Sequence, residues 1–236
     1  MAIEAVLLDY CQTLVDSSDG FRAAEKLIQE KIFEDLALTD WEEFLEDYRR
    51  IRKQAHEKLV LSREAIWQEV YWYYCREPHR QDLQRWESEY WLQVSTTTVI
   101  FPETSRVLEA LAAKYKLALI TNADARTSSA KEQIDHYPQL KAFFDVIVLA
   151  GKDDVPAKPD PAAFIPCLEA LGVRPDQAVY VGDDWRIDIC GARGAGIQPI
   201  WIQHHTVPRT FPDVETSTPI ITSLDPLLDL DRVLGR

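Results

Sequence analysis

Four groups of polar residues carry the side chains that could do chemistry in this chain. In chain order they are Asp9, Thr121 with Asn122, Lys158, and Asp183 with Asp184 and Asp188. Carboxylates that lie close together repel one another, and they stay ionised only when cations compensate their charge. A divalent cation that prefers oxygen ligands, most simply Mg²⁺, supplies this compensation. These residue types therefore predict a magnesium site if the fold brings the groups together.

The same residues would suit an anion once a cation is bound. Lys158 adds a fixed positive charge, and a phosphoryl group held by Mg²⁺ and a lysine is the natural occupant. The Thr121 hydroxyl and the N–H groups after it could hold phosphate oxygens. A carboxylate beside phosphorus can attack it and form an aspartyl-phosphate. Each group alone also suits a turn or a helix cap, so the prediction depends on their sharing one cleft.

The elements that must position these groups are buried strands that alternate with helices. Continuous apolar runs, typical of strands buried on both faces, occupy residues 5–8, 117–120, 146–150, 178–181 and 200–202. Helical patterns occupy residues 103–115, 161–171 and 186–195, with a kink expected at Pro166. This alternation predicts a doubly wound parallel α/β sheet, in which ligands bind beyond the carboxyl ends of the strands.

Residues 16–98 interrupt this alternation. They contain no strand signal, and helices are expected at about 20–37, 40–60, 62–76 and 79–94. The aromatic stretch Trp67–Tyr74 is expected to pack inside this helical segment. The predicted organisation is an α/β core domain of residues 1–15 and 99–236, with an all-helical domain of residues 16–98 inserted after the first strand.

Composition excludes several classes of partner. The 236 residues carry a net charge of −13, which argues against nucleic acid or an anionic membrane as the main partner. No apolar run approaches the roughly 18 residues that a membrane helix needs, and the first residues lack the basic region of a signal peptide. The four cysteines form no CxxC pair, so they are expected to be reduced thiols in a cytoplasmic protein.

Four motifs resemble those of the haloacid dehalogenase-like (HAD) superfamily, in the subgroup with a helical cap after motif one. Motif one, Asp-x-Asp-x-Thr in the family, corresponds to residues 9–13, and motif two, a Thr or Ser after a strand, corresponds to Thr121. Motif three corresponds to Lys158 with the Pro-Asp-Pro after it. Motif four is Gly182-Asp183-Asp184 with Asp188. The resemblance covers nearly the whole chain, and motifs three and four are the specific ones.

The resemblance implies a metal centre. Asp9 would be the nucleophile and a metal ligand, and the main-chain carbonyl of Cys11 would be a second ligand. Asp183 or Asp184 would be the third, and the sequence does not decide between them. Asp188 would orient the lysine or a bound water. The cofactor implied is Mg²⁺.

The resemblance also implies a substrate. Thr121 and Asn122 would bind the phosphate of a small phosphorylated metabolite, and Lys158 would neutralise Asp9 and the intermediate. The helical cap would close over the cleft and select the substrate. Arg126 and Trp185 lie near these motifs and are further candidate substrate contacts. A protein partner or a homodimer is left open.

Cys11 is the main departure from the family pattern. It stands where the phosphatases of the family usually carry an Asp that protonates the leaving group and later activates water. A thiol is a poor substitute, and losing this help typically costs about 10²- to 10⁴-fold in rate. Three interpretations stay open: a slow or specialised Mg²⁺-dependent phosphatase, a dehalogenase-like hydrolase, and a weakly active or inactive member that binds a phosphorylated ligand or a protein.

Overall fold

The apolar runs form the parallel sheet that the sequence predicts. The structure is a computed structural model that describes residues 2–60, 62–123 and 134–236. Its strands are β1 (Ala5–Leu8), β2 (Val15–Asp16), β3 (Val99–Ile100), β4 (Lys116–Asn122), β5 (Val146–Ala150), β6 (Ala178–Gly182), β7 (Gln198–Ile202) and β8 (Ile220–Ile221). Six of them form one sheet in the order β5-β4-β1-β6-β7-β8, and each pair is parallel. The chain winds outward on both sides of β1, which confirms a doubly wound α/β fold.

Burial on both faces explains why the strands are continuously apolar. Val6 and Leu8 of β1 belong to one apolar layer, whereas Ala5 and Leu7 belong to the layer on the opposite face. All four side chains are fully buried. Successive strand residues point to opposite faces, so a strand covered on both sides needs apolar residues at every position.

The helices largely occupy the predicted segments. They are α1 (Ser18–Asp35), α2 (Trp41–Glu57), α3 (Arg63–Tyr73), α4 (Arg80–Thr97), α5 (Thr104–Ala112), α6 (Pro138–Lys141), α7 (Ile165–Leu171), α8 (Cys190–Gly194) and α9 (Leu230–Val233). The expected kink at Pro166 is wrong, because a 3₁₀ turn ends at Ala163 and Pro166 lies in the first turn of α7. Proline is tolerated there, since the first N–H groups of a helix have no partner within the helix.

The chain divides into two compact units. One comprises Met1–Ser18 with Thr98–Arg236, and the other is Asp19–Thr97. The two-residue strands β2 and β3 pair antiparallel in the first unit, on either side of the inserted helices. The sequence analysis missed β2, β3 and β8, because two residues carry no periodic signal. No helix among the described residues is long and apolar enough to cross a membrane.

The helical unit has an aromatic core of its own. Trp67 and Tyr71 are buried in it, and the Trp67 indole Nε1 donates to the Tyr48 hydroxyl over 3.1 Å. Trp72 and Tyr73 lie in the same aromatic stretch and are about half exposed. Part of the aromatic stretch is therefore buried in the core of the helical unit and part is exposed at its surface, as expected for an amphipathic helix.

Candidate active site

Sheet register brings the ends of three strands to one edge. Leu8, the last residue of β1, pairs with Leu119 of β4 and with Val181 of β6. Asp9 follows directly, and its N–H donates to the Val181 carbonyl over 2.9 Å. Asp183 follows the end of β6 in the same way. These groups thus lie where the chain reverses its direction of winding, which is the usual ligand position in such sheets.

Lys158 lies at the centre of the site. Its Nζ is 2.7 Å from Oδ1 of Asp9 and 2.7 Å from Oδ1 of Asp188. It also donates to the Tyr180 hydroxyl over 2.8 Å and to the Ile120 carbonyl over 3.2 Å. The lysine is buried, so these partners replace the water that its ammonium group would otherwise bind. The structure therefore brings together Asp9, Lys158 and Asp188.

Asn122 fixes the main chain at Lys158. Its Nδ2 donates to the Lys158 carbonyl over 3.0 Å, and its Oδ1 accepts from the Lys158 N–H over 2.8 Å. Both polar atoms of the amide are thus engaged with the backbone beside the central lysine. Thr121, one residue earlier on β4, is buried at the same edge of the sheet.

A widened turn after β6 directs Asp188 back to the site. Residues Trp185–Ile189 form a π-helical turn before α8, where the sequence predicts a regular helix from residue 186. Within it, Oδ2 of Asp188 accepts from the Asp184 N–H over 3.0 Å. A Cβ at Gly182 would lie 2.5 Å from Cγ of Asp188. Glycine is therefore required at position 182 for the carboxylate to approach the end of the strand.

The two adjacent acids of motif four, Asp183 and Asp184, make different contacts. Oxygens of Asp9, Asp183 and Asp188 all lie within 4.8 Å of one another, and all three residues are buried. Asp184 has a different position: its Oδ1 accepts from the N–H groups of Arg186 and Ile187, each over 2.9 Å, and so caps the turn. Asp183 is therefore the acid that faces Asp9.

Arg209, which the sequence analysis missed, joins these acids from the segment between β7 and β8. Its Nη1 donates to Oδ2 of Asp183, and its Nη2 is 3.5 Å from Oδ2 of Asp184. The guanidinium also lies over the Phe211 ring, 5.0 Å from its centre. The Trp201 indole Nε1 donates to the Asp183 carbonyl over 2.9 Å. No spacing in the sequence connects this arginine with motif four.

Tyr180 is a second residue that sequence reasoning missed, because it lies within an apolar run. Its hydroxyl donates to Oδ1 of Asp188 over 2.8 Å and accepts from Lys158. A tyrosine in a buried strand just before motif four was the available signal, since a buried hydroxyl needs a partner. Trp185 packs against Trp201 with ring centres 4.9 Å apart, and Arg126 lies outside the described residues.

The electrostatics of the site show an excess of negative charge. Burial raises the pKa of Asp9 to about 6, although Lys158 opposes the shift. Burial also raises the pKa of Asp183 well above its usual value; Arg209 opposes this rise, while Asp188 and Asp9 reinforce it. For Lys158, the carboxylates of Asp188 and Asp9 outweigh the effect of burial and raise its pKa above the ordinary value. The lysine is therefore a permanent cation.

The Cys11 thiol is held in its neutral form. Burial raises its pKa, and the carboxylates of Asp9 and Asp183 raise it further, because a thiolate would add another negative charge. Cys11 follows Asp9 in a tight turn, in which the Leu14 N–H donates to the Tyr10 carbonyl over 2.9 Å. A neutral thiol is a weak donor and a weak acceptor of hydrogen bonds.

The donor set fits a hard divalent cation. Its carboxylate oxygens are the ligands that Mg²⁺ prefers, and they lie close enough to share one ion. Four carboxylates meet two side-chain cations, Lys158 and Arg209, in the part of the chain that the structure describes. The carboxylates therefore outnumber the side-chain cations, and a divalent ion would offset the excess of negative charge.

Comparison with known proteins identifies the family. The family model described as haloacid dehalogenase-like hydrolase matches residues 3–196. The chain belongs to the haloacid dehalogenase-like hydrolase family. This confirms the resemblance found in the four motifs and makes the protein a hydrolase by family.

Several of the similar curated proteins are named as phosphatases. N-acylneuraminate-9-phosphatase from Rattus norvegicus is 35% identical over 101 residues, which cover 42% of this chain and 39% of that protein. A probable phosphoglycolate phosphatase from Pseudomonas putida is 31% identical over 144 residues, covering 59% of this chain and 54% of that protein. The chain thus matches only about half or less of the length of these relatives.

Solved HAD-superfamily structures share the whole fold. A HAD-hydrolase from Bacillus subtilis bound to magnesium covers 100% of both chains with a TM-score of 0.68 at 20% identity. A 2-haloacid dehalogenase from Pseudomonas syringae covers 99% of both chains with a TM-score of 0.63 at 25% identity. Likeness at this level establishes the fold and leaves the substrate to be argued from the site.

Proposed function

We propose that this protein hydrolyses a small phosphomonoester in a Mg²⁺-dependent reaction, through a phosphoryl group carried on Asp9. The observation that supports the proposal is the convergence of Asp9, Asp183 and Asp188 around the buried Lys158. Such a site combines a nucleophile, a fixed cation and an excess of negative charge that calls for a metal ion. Phosphoryl transfer needs these components, because its transition state is stabilised mainly by positioning and charge.

In the first step, the Asp9 carboxylate would attack phosphorus. A bond forms between the carboxylate oxygen and phosphorus, and the bond from phosphorus to the ester oxygen breaks. The ammonium of Lys158, 2.7 Å from Asp9, holds the carboxylate in place and offsets charge that builds up on the transferred group. Asn122 holds the backbone of Lys158, so we assign it to positioning the lysine, and we assign phosphate binding to Thr121.

In the second step, water would attack the phosphorus of the aspartyl-phosphate. Phosphate leaves, and the Asp9 carboxylate is regenerated. Cys11 occupies the position of the residue that would give a proton to the leaving alkoxide and later take one from water. Because its thiol is neutral and hydrogen-bonds weakly, we expect both proton transfers to be slow. The Asp16 carboxylate, at the end of β2, accepts from the Ser18 N–H over 2.8 Å and so stabilises the start of α1.

Asp9, the Cys11 carbonyl and Asp183 are the residues that we expect to hold Mg²⁺. When bound, the ion would neutralise the carboxylates and draw charge from the phosphoryl oxygens. Asp184 is left out because it does not belong to the group of acids whose oxygens lie within 4.8 Å of one another, and its Oδ1 caps the turn after β6. Asp188 is also left out, since its two oxygens accept from Lys158, Tyr180 and the Asp184 N–H. We therefore assign Asp188 to orienting Lys158.

A panel of phosphomonoesters tests the proposal. The panel should include N-acylneuraminate 9-phosphate, phosphoserine and phosphoglycolate, which are the substrates named for similar proteins. We expect phosphate release with Mg²⁺ and none with EDTA. Asp9→Asn, which keeps the shape of the side chain and removes the nucleophile, should abolish turnover. Asp176→Asn, at an exposed aspartate of the same unit, is the matched control and should leave turnover unchanged. Turnover that persists in Asp9→Asn would refute the mechanism.

A dehalogenase-like reaction is the second candidate. It is favoured by Cys11, because dehalogenases of this superfamily also lack the second acid, and by the similarity to the Pseudomonas syringae 2-haloacid dehalogenase. In that reaction Asp9 would displace halide from carbon, and no metal would be needed. Chloride release from 2-chloropropionate in the presence of EDTA would favour this candidate over the phosphatase.

We propose that the helical unit, residues 19–97, is the cap domain that the family resemblance implies and that it selects the substrate.

A weakly active or inactive protein that binds a phosphorylated ligand is the third candidate. If no phosphomonoester or haloacid turns over and a phosphorylated ligand still binds, the protein is a binding member of the family. Recovery of turnover in Cys11→Asp would then identify the thiol as the cause.

A further inference from the structure

The guanidinium of Arg209 already contacts Asp183, one of the residues that we expect to hold the metal ion. Arg209 donates from Nη1 to Oδ2 of Asp183 and lies 3.5 Å from Oδ2 of Asp184. Its guanidinium therefore supplies, at Asp183, positive charge of the kind that a metal ion would supply. An oxygen engaged by a guanidinium cannot offer its full charge to an ion, and two cations on one carboxylate repel each other.

The ion pair lies in an aromatic setting that belongs to the fold. The Phe211 ring lies under the guanidinium and packs edge-to-face against Trp201, with ring centres 6.0 Å apart. Trp201 in turn donates from Nε1 to the Asp183 carbonyl over 2.9 Å. The same rings thus support both members of the ion pair. This arrangement distinguishes it from the isolated surface ion pairs that contribute little.

The main chain that carries Arg209 is anchored independently of the acids. His204 is buried, its Nε2 lies 2.9 Å from Oε1 of Glu103, and its ring stacks on Phe101 at 3.6 Å. Val207 is buried as well, and its carbonyl accepts from the Arg209 N–H over 2.8 Å. The Arg209 side chain itself is 32% exposed. The guanidinium can therefore swing away through side-chain rotation while the backbone stays in place.

We propose that Arg209 is a resident counter-cation that Mg²⁺ must displace from Asp183, so that this arginine sets the concentration at which the ion binds. The inference rests on the proposed function, because it takes Asp183 as a metal ligand. In the metal-free protein, the positive charge of Arg209 reduces the repulsion between the crowded carboxylates. When the ion binds, it takes over this role and the guanidinium moves to solvent.

Calorimetric titration of Mg²⁺ into the metal-free chain of 236 residues tests this competition. Arg209→Gln removes the charge at similar side-chain length, and we expect it to lower the dissociation constant for Mg²⁺ about tenfold. Arg174→Gln is the matched control: it removes the same charge from the same unit, at an exposed pair with Asp176, and should leave the constant unchanged. Arg209→Lys keeps the charge and should lie closer to the wild type.

The outcomes separate this inference from the proposed function. If the wild type binds Mg²⁺ and the dissociation constant of Arg209→Gln is equal or higher, the inference is overturned, whereas the proposed metal site is supported. Failure of both proteins to bind Mg²⁺ would overturn both.

Modification by phenylglyoxal, which reacts with accessible guanidinium groups, provides a readout on the wild type alone, should Arg209→Gln fail to fold. Mg²⁺ should accelerate the modification of Arg209 and leave that of the exposed Arg174 unchanged, because only the Arg209 guanidinium is released from its carboxylate. Modification of Arg209 that is unchanged or slower with Mg²⁺ bound would contradict displacement.

Discussion

Replacing Cys11 by aspartate should convert a slow phosphatase into a faster one. An unperturbed thiol, with a pKa of about 8.5, is only about 3% thiolate at pH 7. Burial and the carboxylates of Asp9 and Asp183 raise the pKa of Cys11 further, so even less of the base is present. Restoring acid–base help should raise the rate by about 10²- to 10⁴-fold, or ~3–5 kcal/mol in activation free energy.

The leaving group provides the sharpest assay of this prediction. kcat/KM reports the first irreversible step, in which an alkyl ester must have its leaving oxygen protonated while 4-nitrophenolate leaves unaided. Cys11→Asp should therefore raise kcat/KM for an alkyl phosphate at least about tenfold more than for 4-nitrophenyl phosphate.

Two control variants accompany this assay. Cys190→Asp, at an exposed cysteine of the same unit, should change neither value. Cys11→Asn should be no faster than the wild type, since an amide does not transfer the proton. Equal acceleration of the two esters, or none, would refute the role that we assign to position 11.

Three further perturbations follow from the contacts of the buried groups. Lys158→Met should lower the free energy of unfolding by about 3–5 kcal/mol in urea at pH 7, because Asp9 and Asp188 lose the cation between them; unchanged stability would contradict this. Burial raises the pKa of Asp9 to about 6 and also raises that of Asp183, and metal binding must release the protons that these ligands hold. The apparent affinity for Mg²⁺ should therefore rise as the pH rises through about 6, as calorimetry at several pH values would show, and an affinity that is the same at every pH would contradict this. Trp67→Ala should cost about 3–5 kcal/mol of stability, because it empties a fully buried site and removes the bond to Tyr48; thermal denaturation would measure the loss, and a shift of only a degree or two would argue against this packing.

Much of the fold is predictable from the sequence because strands covered on both faces must be apolar throughout. Val6 and Leu8 face one layer and Leu7 the other, so the run signals a central strand without any alternation. The short strands β2, β3 and β8 escape such reasoning, since two residues have no period. The widened turn at Trp185–Ile189 also escapes it, because it depends on which groups Asp184 and Asp188 bind in three dimensions.

The sequence predicts which residue types form the candidate site and at which edge of the sheet they lie. Asp183 and Asp184 are adjacent in the sequence, and only the backbone course after β6 decides which one faces Asp9. Asn122 is expected from its position to bind phosphate, which stays a prediction, and its two hydrogen bonds to the backbone of Lys158 could not be foreseen from the sequence. Arg209 reaches the acids through a long side chain from an irregular segment, which no local pattern can reveal.

Calorimetric titration of Mg²⁺ into the metal-free wild type, Asp183→Asn and Asp184→Asn is the decisive measurement. Asp183 lies in the buried acidic group, whereas Asp184 caps the following turn. We predict one ion bound per wild-type chain, an affinity reduced at least about 100-fold in Asp183→Asn, and a change of no more than about threefold in Asp184→Asn. A wild-type protein that binds no Mg²⁺, or an Asp183→Asn variant that binds it undiminished, would contradict the assembly of these carboxylates around a divalent ion.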